Sequence, residues 1–119
     1  MQVLREIPKP WGTEHIIDIN DTYCVKSLLI KAGQRLSKQF HQQKRETILL
    51  TSGEATLILY NGSKSKEVVM KHRHAYAIEP RQIHRIFAHS DFDAILIEVS
   101  TIELDDVVRL EDDYGRCSS

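Results

Sequence analysis

A chain of 119 residues with 41% hydrophobic side chains is long enough to bury one core, which makes a single domain the expected organisation. Its 16 basic and 17 acidic residues leave a net charge of −1 with histidine neutral, so no bulk charge marks a nucleic-acid or membrane surface as a partner. No apolar run approaches the roughly 20 residues of a membrane-spanning helix, and Arg5, Glu6 and Lys9 interrupt any signal-peptide core at the start. The two cysteines, Cys24 and Cys117, have no metal-like spacing and read as a strand thiol and a tail thiol in a reducing cytoplasm.

In chain order, residues 1–12 read as an irregular arm. Pro8 and Pro10 exclude a helix there, and Trp11-Gly12 is expected to fold against the body. Nine runs of β-branched and apolar residues follow: Glu14–Ile19, Thr22–Ile30, Leu36–His41, Glu46–Leu50, Ala55–Tyr60, Glu67–Met70, Tyr76–Ile78, His84–Phe87 and Ala94–Val99. Turn residues separate them, at Asn20-Asp21, Ala32-Gly33, Gln42–Arg45, Ser52-Gly53, Asn61-Gly62 and His89–Asp91. Asn61-Gly62 is the strongest hairpin signal. Strands this short and evenly spaced, without intervening helices, predict an all-β sandwich or barrel. Only Leu104–Arg109 reads as a short helical turn. No repeat or linker divides the chain, so one domain is expected over 1–119, with an arm (1–12), a barrel (13–100) and a carboxy-terminal cover (101–119).

The chemistry concentrates between Gly33 and Gly53. Gln39 and His41 are two apart and face one side of a strand. After a short turn, Glu46 returns a carboxylate to the same space, and His84 follows from a later strand. One amide oxygen, two imidazoles and one carboxylate make a candidate mononuclear site for a divalent metal with water in the open positions. A donor set of oxygen and nitrogen without thiolate fits Zn, Mn, Ni, Co or Fe. A lone buried carboxylate costs several kcal/mol unless it is paired or metal-bound, which favours a metal over a merely hydrogen-bonded polar cluster. Alternation predicts that Ser37 faces inward with Gln39 and His41, Ile48 and Leu50 with Glu46, and Ile86 and Ala88 with His84. Arg45 and Arg85 then lie on the opposite face or at the rim. Ala94, Leu96 and Glu98 share one face, which places Glu98 inside if that face is inward. His72-Arg73-His74 followed by Glu79 repeats the ligand spacing. Lys71, Arg73 and Arg81 would repel a cation there, so a solvated hairpin is the expectation. His15 and His89 read as surface residues.

These motifs resemble the cupins, small β-barrel proteins, with Gln39 where many cupins have a first histidine. Pro8-Lys9-Pro10-Trp11-Gly12, Leu36-Ser37-Lys38-Gln39-Phe40-His41, Ile83-His84-Arg85, Ile97-Glu98-Val99 and the run Asp105–Arg116 resemble, in order, the motifs of the type II mannose-6-phosphate isomerase cupin domain. The resemblance implies a jelly-roll barrel (a double-stranded β-helix), Zn or Mn as the metal, and interconversion of mannose 6-phosphate and fructose 6-phosphate through a cis-enediol. That reaction needs a base, a Lewis acid or donor at the enediolate oxygen, and cations for the phosphate. Metal ligation would fall to Gln39, His41, Glu46 and His84. Arg85 is the expected phosphate clamp or oxyanion contact, against a structural ion pair, and Lys9 can also face the substrate. Lys44 and Arg45 read as solvated hairpin charges. A hydroxide on the metal, Glu98 and Lys26 are the candidate bases, and a structural salt bridge is the competing role for Glu98. Asp105 to Arg116 is expected to close the barrel through Asp–Arg pairs, and a homodimer is expected.

Three stretches depart from the family's pattern: Thr47-Ile48 replaces His-Trp, Ile78-Glu79-Pro80-Arg81 stands for Ile-Pro-Pro-Gly so that Arg81 replaces a glycine, and Ala88 replaces an asparagine. The departures keep open a non-catalytic sugar- or metal-binding module. Epimerisation or ketoisomerisation of a nucleotide-linked sugar also competes with the isomerase, as does oxygenase chemistry. The glycine-rich nucleotide loop of the family's usual guanylyltransferase partner is not among these 119 residues.

Overall fold

The structure, a computed structural model, describes residues 5–117. Period-two alternation in the sequence becomes alternation in burial. In Cys24–Ile30 every second residue, Cys24, Lys26, Leu28 and Ile30, is buried, and in Glu46–Ser52 so are Glu46, Ile48 and Leu50. Eleven strands and no helix form among the described residues: β1 (Arg5–Lys9), β2 (Gly12–Ile19), β3 (Cys24–Ile30), β4 (Lys38–Phe40), β5 (Glu46–Ser52), β6 (Ala55–Asn61), β7 (Lys64–Val69), β8 (Ala75–Ile78), β9 (Ile83–Ala88), β10 (Ala94–Ser100) and β11 (Val108–Glu111). It follows that no helix among them is long and apolar enough to cross a membrane.

The strands make two antiparallel sheets, ordered β1-β2-β3-β10-β5-β8 and β11-β4-β9-β6-β7. Their inner faces enclose a core of Leu28, Ile30, Ile48, Leu50, Leu57, Ile86 and Leu96, closed on one side by Trp11. Two glycines meet backbone demands. Gly62 (φ +63°) begins the two-residue loop between paired Asn61 and Lys64, and Gly53 (φ +78°) lies so close to Asp93 that a Cβ would stand 2.1 Å from its carbonyl oxygen.

All nine expected strands form, and two segments differ from expectation. The arm is not irregular from Arg5 onward: β1 pairs residue by residue with β2, from Arg5 opposite Ile16 to Lys9 opposite Gly12. Pro8 is tolerated because β1 is an edge strand, where a missing N–H costs no ladder bond. Leu104–Arg109 forms no helical turn. Leu104 and Asp105 lie in a turn, after which Val108 and Arg109 join β11, opposite Phe40 and Gln39 of β4. A free sheet edge offered that segment ladder bonds that outweighed a weak local helical preference.

Candidate metal centre

Most of the buried polar residues gather at one end of the barrel because the strands place them there in register. Glu98 of β10 stands opposite Lys26 of β3, Ser100 opposite Glu46 of β5, and Gln39 of β4 opposite His84 of β9. The structure brings three of the four expected ligands into one cluster. One ligand atom from each of His41, Glu46 and His84 lies within 4.8 Å of the others, and all three residues are buried. Nε2 of His84 is 3.2 Å and Nε2 of His41 is 3.7 Å from the same Glu46 oxygen, with ring centroids 5.5 Å apart.

The outer nitrogens fix the proton on each ring. Nδ1 of His84 donates to the Gln82 carbonyl at 2.8 Å, and Nδ1 of His41 donates to the Asp106 carbonyl. A carbonyl only accepts, so each Nδ1 carries a proton and each Nε2 faces Glu46. An imidazole lone pair and a carboxylate oxygen need a cation between them, either a proton or a metal. The residues therefore fit a divalent ion. Gln39 sits at the edge of the cluster, its amide nitrogen 3.5 Å from His41 Nε2 and its oxygen accepting from Ser37 at 2.6 Å. A half-turn of the amide would present the oxygen to the cluster instead.

Glu46 is ionised against its surroundings. Burial opposes its charge, but hydrogen bonds from His41 and His84, which require the bridging proton at Nε2, and the charge of Lys44 hold its carboxyl well below the usual carboxylate range. Lys44 is not the solvated hairpin charge expected: it is 5% exposed, with Nζ 3.3 Å from Glu46 and 3.4 Å from Glu98. Burial works against its ammonium, but Glu98 and Glu46 push it above its ordinary value. Glu98 is inside the barrel as alternation predicted, and burial followed by the charge of Glu46 pushes its carboxyl up to about 7.

Beside this cluster opens a cavity of about 270 Å³ that reaches Gln39, His41 and Glu98. Six basic residues line it, Arg5, Lys9, Lys26, Lys44, Arg109 and Arg116, against three acidic ones, Glu14, Glu98 and Asp105. Lys9 and Lys26 are both held by Glu14, at 3.8 and 3.0 Å.

Arg85 does not reach this space. It is 4% exposed, donates to the carbonyls of Leu36 (2.8 Å) and Glu111 (3.2 Å), and approaches Asp113 at 3.8 Å. It follows His84 on one strand and so points to the opposite face, which makes it a tie for the carboxy-terminal segment rather than a clamp. Arg35–Asp113 and Arg116–Asp112 supply the Asp–Arg pairs expected of that segment. Three contributions escape a reading of the sequence. Glu14 anchors two lysines, Arg109 and Arg116 line the cavity, and the Asp106 carboxylate accepts the backbone N–H groups of Gln42, Gln43 and Lys44. Glutamate spaced two residues from a buried isoleucine on β2 was the only available signal for Glu14.

Elsewhere expectation and placement agree, except that His15 and His89 are half-buried rather than at the surface. His72 and His74 are exposed and Glu79 pairs with Arg45, so their repeated spacing assembles nothing. His15 meets Glu6, while His89 bridges Thr56 and Glu54. Cys24 is buried and Cys117 exposed, both free. Of the departures, Ile48 lies in the apolar core and Thr47 faces outward, and neither lines the cavity.

Two β-sheets closed around a histidine–carboxylate cluster define a cupin, a single small jelly roll. The chain belongs to the family described as mannose-6-phosphate isomerase C-terminal, whose model matches residues 1–112, which bears out the resemblance carried by its motifs. It is 33% identical over 118 residues to mannose-1-phosphate guanylyltransferase of Escherichia coli, covering 97% of this chain and 24% of that protein. It is 32% identical over 116 residues to the xanthan biosynthesis protein XanB of Xanthomonas campestris, covering 94% and 24%. The chain thus spans about a quarter of the length of these relatives, whose names place them in carbohydrate metabolism. Among solved structures, the capsular polysaccharide assembling protein CapF of Staphylococcus aureus superposes with a TM-score of 0.78 at 18% identity, over 93% of this chain and 35% of that one. At that identity the likeness speaks for the fold alone.

Proposed function

We propose that this domain is a metal-dependent aldose–ketose isomerase that interconverts mannose 6-phosphate and fructose 6-phosphate. The observation that carries the reading is the convergence of two imidazole nitrogens and a carboxylate oxygen beside a cavity with twice as many basic as acidic residues. His41, Glu46 and His84, with Gln39 after rotation of its amide, would hold Zn or Mn, which when bound supplies a Lewis acid for the developing enediolate oxygen. Glu98 is the proposed base. It lines the cavity, and a carboxyl near 7 is matched to taking the C2 proton and returning it at C1 of the cis-enediol. Lys26 is a poorer base because Glu14 holds its ammonium at 3.0 Å. Lys44 offsets the paired negative charges of Glu46 and Glu98, and Lys9 lines the same cavity. The domain is further proposed to pair as a homodimer through its open edges, β7 or β8.

A coupled assay of mannose 6-phosphate conversion on metal-stripped protein, re-supplied with one metal at a time, tests the reading. Activity restored by Zn or Mn supports it. Binding of the sugar phosphate without turnover under any metal assigns a non-catalytic module, and turnover of a nucleotide-linked sugar that resists chelation assigns an epimerase.

A further inference from the structure

Away from the cavity beside the metal centre, the β6–β7 hairpin and the turn that leads into β9 enclose a groove of about 660 Å³. Lys64, Lys66 and Arg81 line it, and no acidic residue does. None of these three side chains makes an ion pair among the described residues, whereas Lys9, Lys26 and Lys44 in the inner cavity are each held by a glutamate. Lys64 stands opposite Asn61 and Lys66 opposite Leu59, so both lysines leave β7 on one face, two residues apart. Leu59, Tyr60 and Ile83 give the groove an apolar wall. A neighbouring hollow of about 400 Å³ shares Arg81 and Ile83 and extends the surface to Phe40.

The groove is formed in advance of any ligand. Gln82 Nε2 donates to the Tyr60 carbonyl at 3.1 Å, which ties the turn to β6, and the Arg81 N–H donates to the His41 carbonyl at 2.6 Å. Arg81 is held at φ +70°, a left-handed conformation that glycine adopts without cost and a long side chain adopts under strain. The chain thus keeps a strained, unpaired arginine between two hollows, and strain of that kind gathers at ligand sites.

We propose that this groove binds an organic phosphate, its dianionic head on Lys64, Lys66 and Arg81 and its apolar or aromatic body on Leu59, Tyr60 and Ile83. A guanidinium fork and two ammoniums match a dianion, and a groove of this size holds far more than inorganic phosphate alone. The site lies apart from the inner cavity and is independent of the isomerase reading.

The test is an amide NMR titration of the full chain with phenyl phosphate, inorganic phosphate and phenol. Gly62, Ser65 and Gln82 report on the groove, and Gln39 and Glu98 report on the inner cavity. Phenyl phosphate should shift the groove amides saturably, and inorganic phosphate and phenol should each bind there at least about fivefold more weakly. Arg81→Gly is expected to weaken the ester by about fivefold or more while its melting temperature holds or rises, and the double variant Lys64→Gln/Lys66→Gln to weaken it by a similar factor. Arg73→Gly, which relaxes the other left-handed arginine (φ +67°) outside the groove, should leave the affinity unchanged. Shifts confined to the inner cavity, or none at all, overturn the site. So does unchanged affinity in either Arg81→Gly or the lysine double variant, and so does inorganic phosphate or phenol that binds the groove as tightly as the ester.

Discussion

Four residues along the same four strands separate two different interiors. At one end of the barrel the inward positions are Ile30, Leu50, Ala88 and Ala94; at the other they are Lys26, Glu46, His84 and Glu98. The ladders keep the ends in step, with Ala94 opposite Ile30 and Glu98 opposite Lys26. Both ends are buried. The apolar end gains from removal of hydrocarbon from water, whereas each charge at the polar end is tolerated only beside a partner. Stability and chemistry thus occupy separate ends of one shell, and substitutions should divide them.

The largest separation is expected from a pair of variants. His84→Ala should abolish metal binding and activity while circular dichroism still reports the folded barrel. An unchanged metal content would refute the assigned ligands. Leu96→Ala should do the opposite, costing about 2–5 kcal/mol in chemical denaturation while the folded fraction keeps its metal. Next comes Asp106→Ala. Its carboxylate fixes the loop 42–44 between His41 and Glu46, so metal affinity should drop by about 10–100-fold, and Asp106→Asn should recover part of it. A loss of stability with unchanged metal affinity would make Asp106 merely structural.

The pH dependence of the metal-free protein sharpens the contrast further. The folded pKa of Glu98 lies near 7, above its ordinary 4.5, so between those values the folded state binds more protons than the unfolded one. Its contribution is therefore full below about 4.5 and fades as pH rises towards 7 and beyond. Glu98→Gln, which imitates the protonated carboxyl, should match the wild type in urea midpoint near pH 5 and exceed it progressively by pH 8. Parallel curves would show that burial does not raise this carboxyl. The smallest effect belongs to Arg81, which holds φ at +70° while its N–H donates to the His41 carbonyl at 2.6 Å. Arg81→Gly should relieve backbone strain worth about 1 kcal/mol, read as a small rise in melting temperature with metal binding unaltered.

Period-two alternation, a local property, made most of this molecule legible. It located nine of the eleven strands, and it put Ser37, His41, Glu46, Ile48, His84, Ile86, Leu96 and Glu98 on inward faces, where the structure has them buried. It could not show β1 or β11, because each exists only through a partner strand, and Pro8 and the charged Asp105–Arg116 run argue locally against strands. Nor could it distinguish Lys44 from Arg45. These neighbours in one turn differ because Lys44 meets Glu46 and Glu98 inside, while Arg45 meets Glu79 outside.

What the sequence determined by itself was therefore the all-β class, the family and the members of the histidine–carboxylate cluster, since spacing and residue type are inherited unchanged by any strand. What only the tertiary structure decided was which cations face the cavity. Arg85 was turned away and Arg109 was turned in by strand pairing across distant segments, and Arg116 was brought in by the turn beyond β11 that Asp112 holds, because the direction of a long side chain depends on the partners its segment finds.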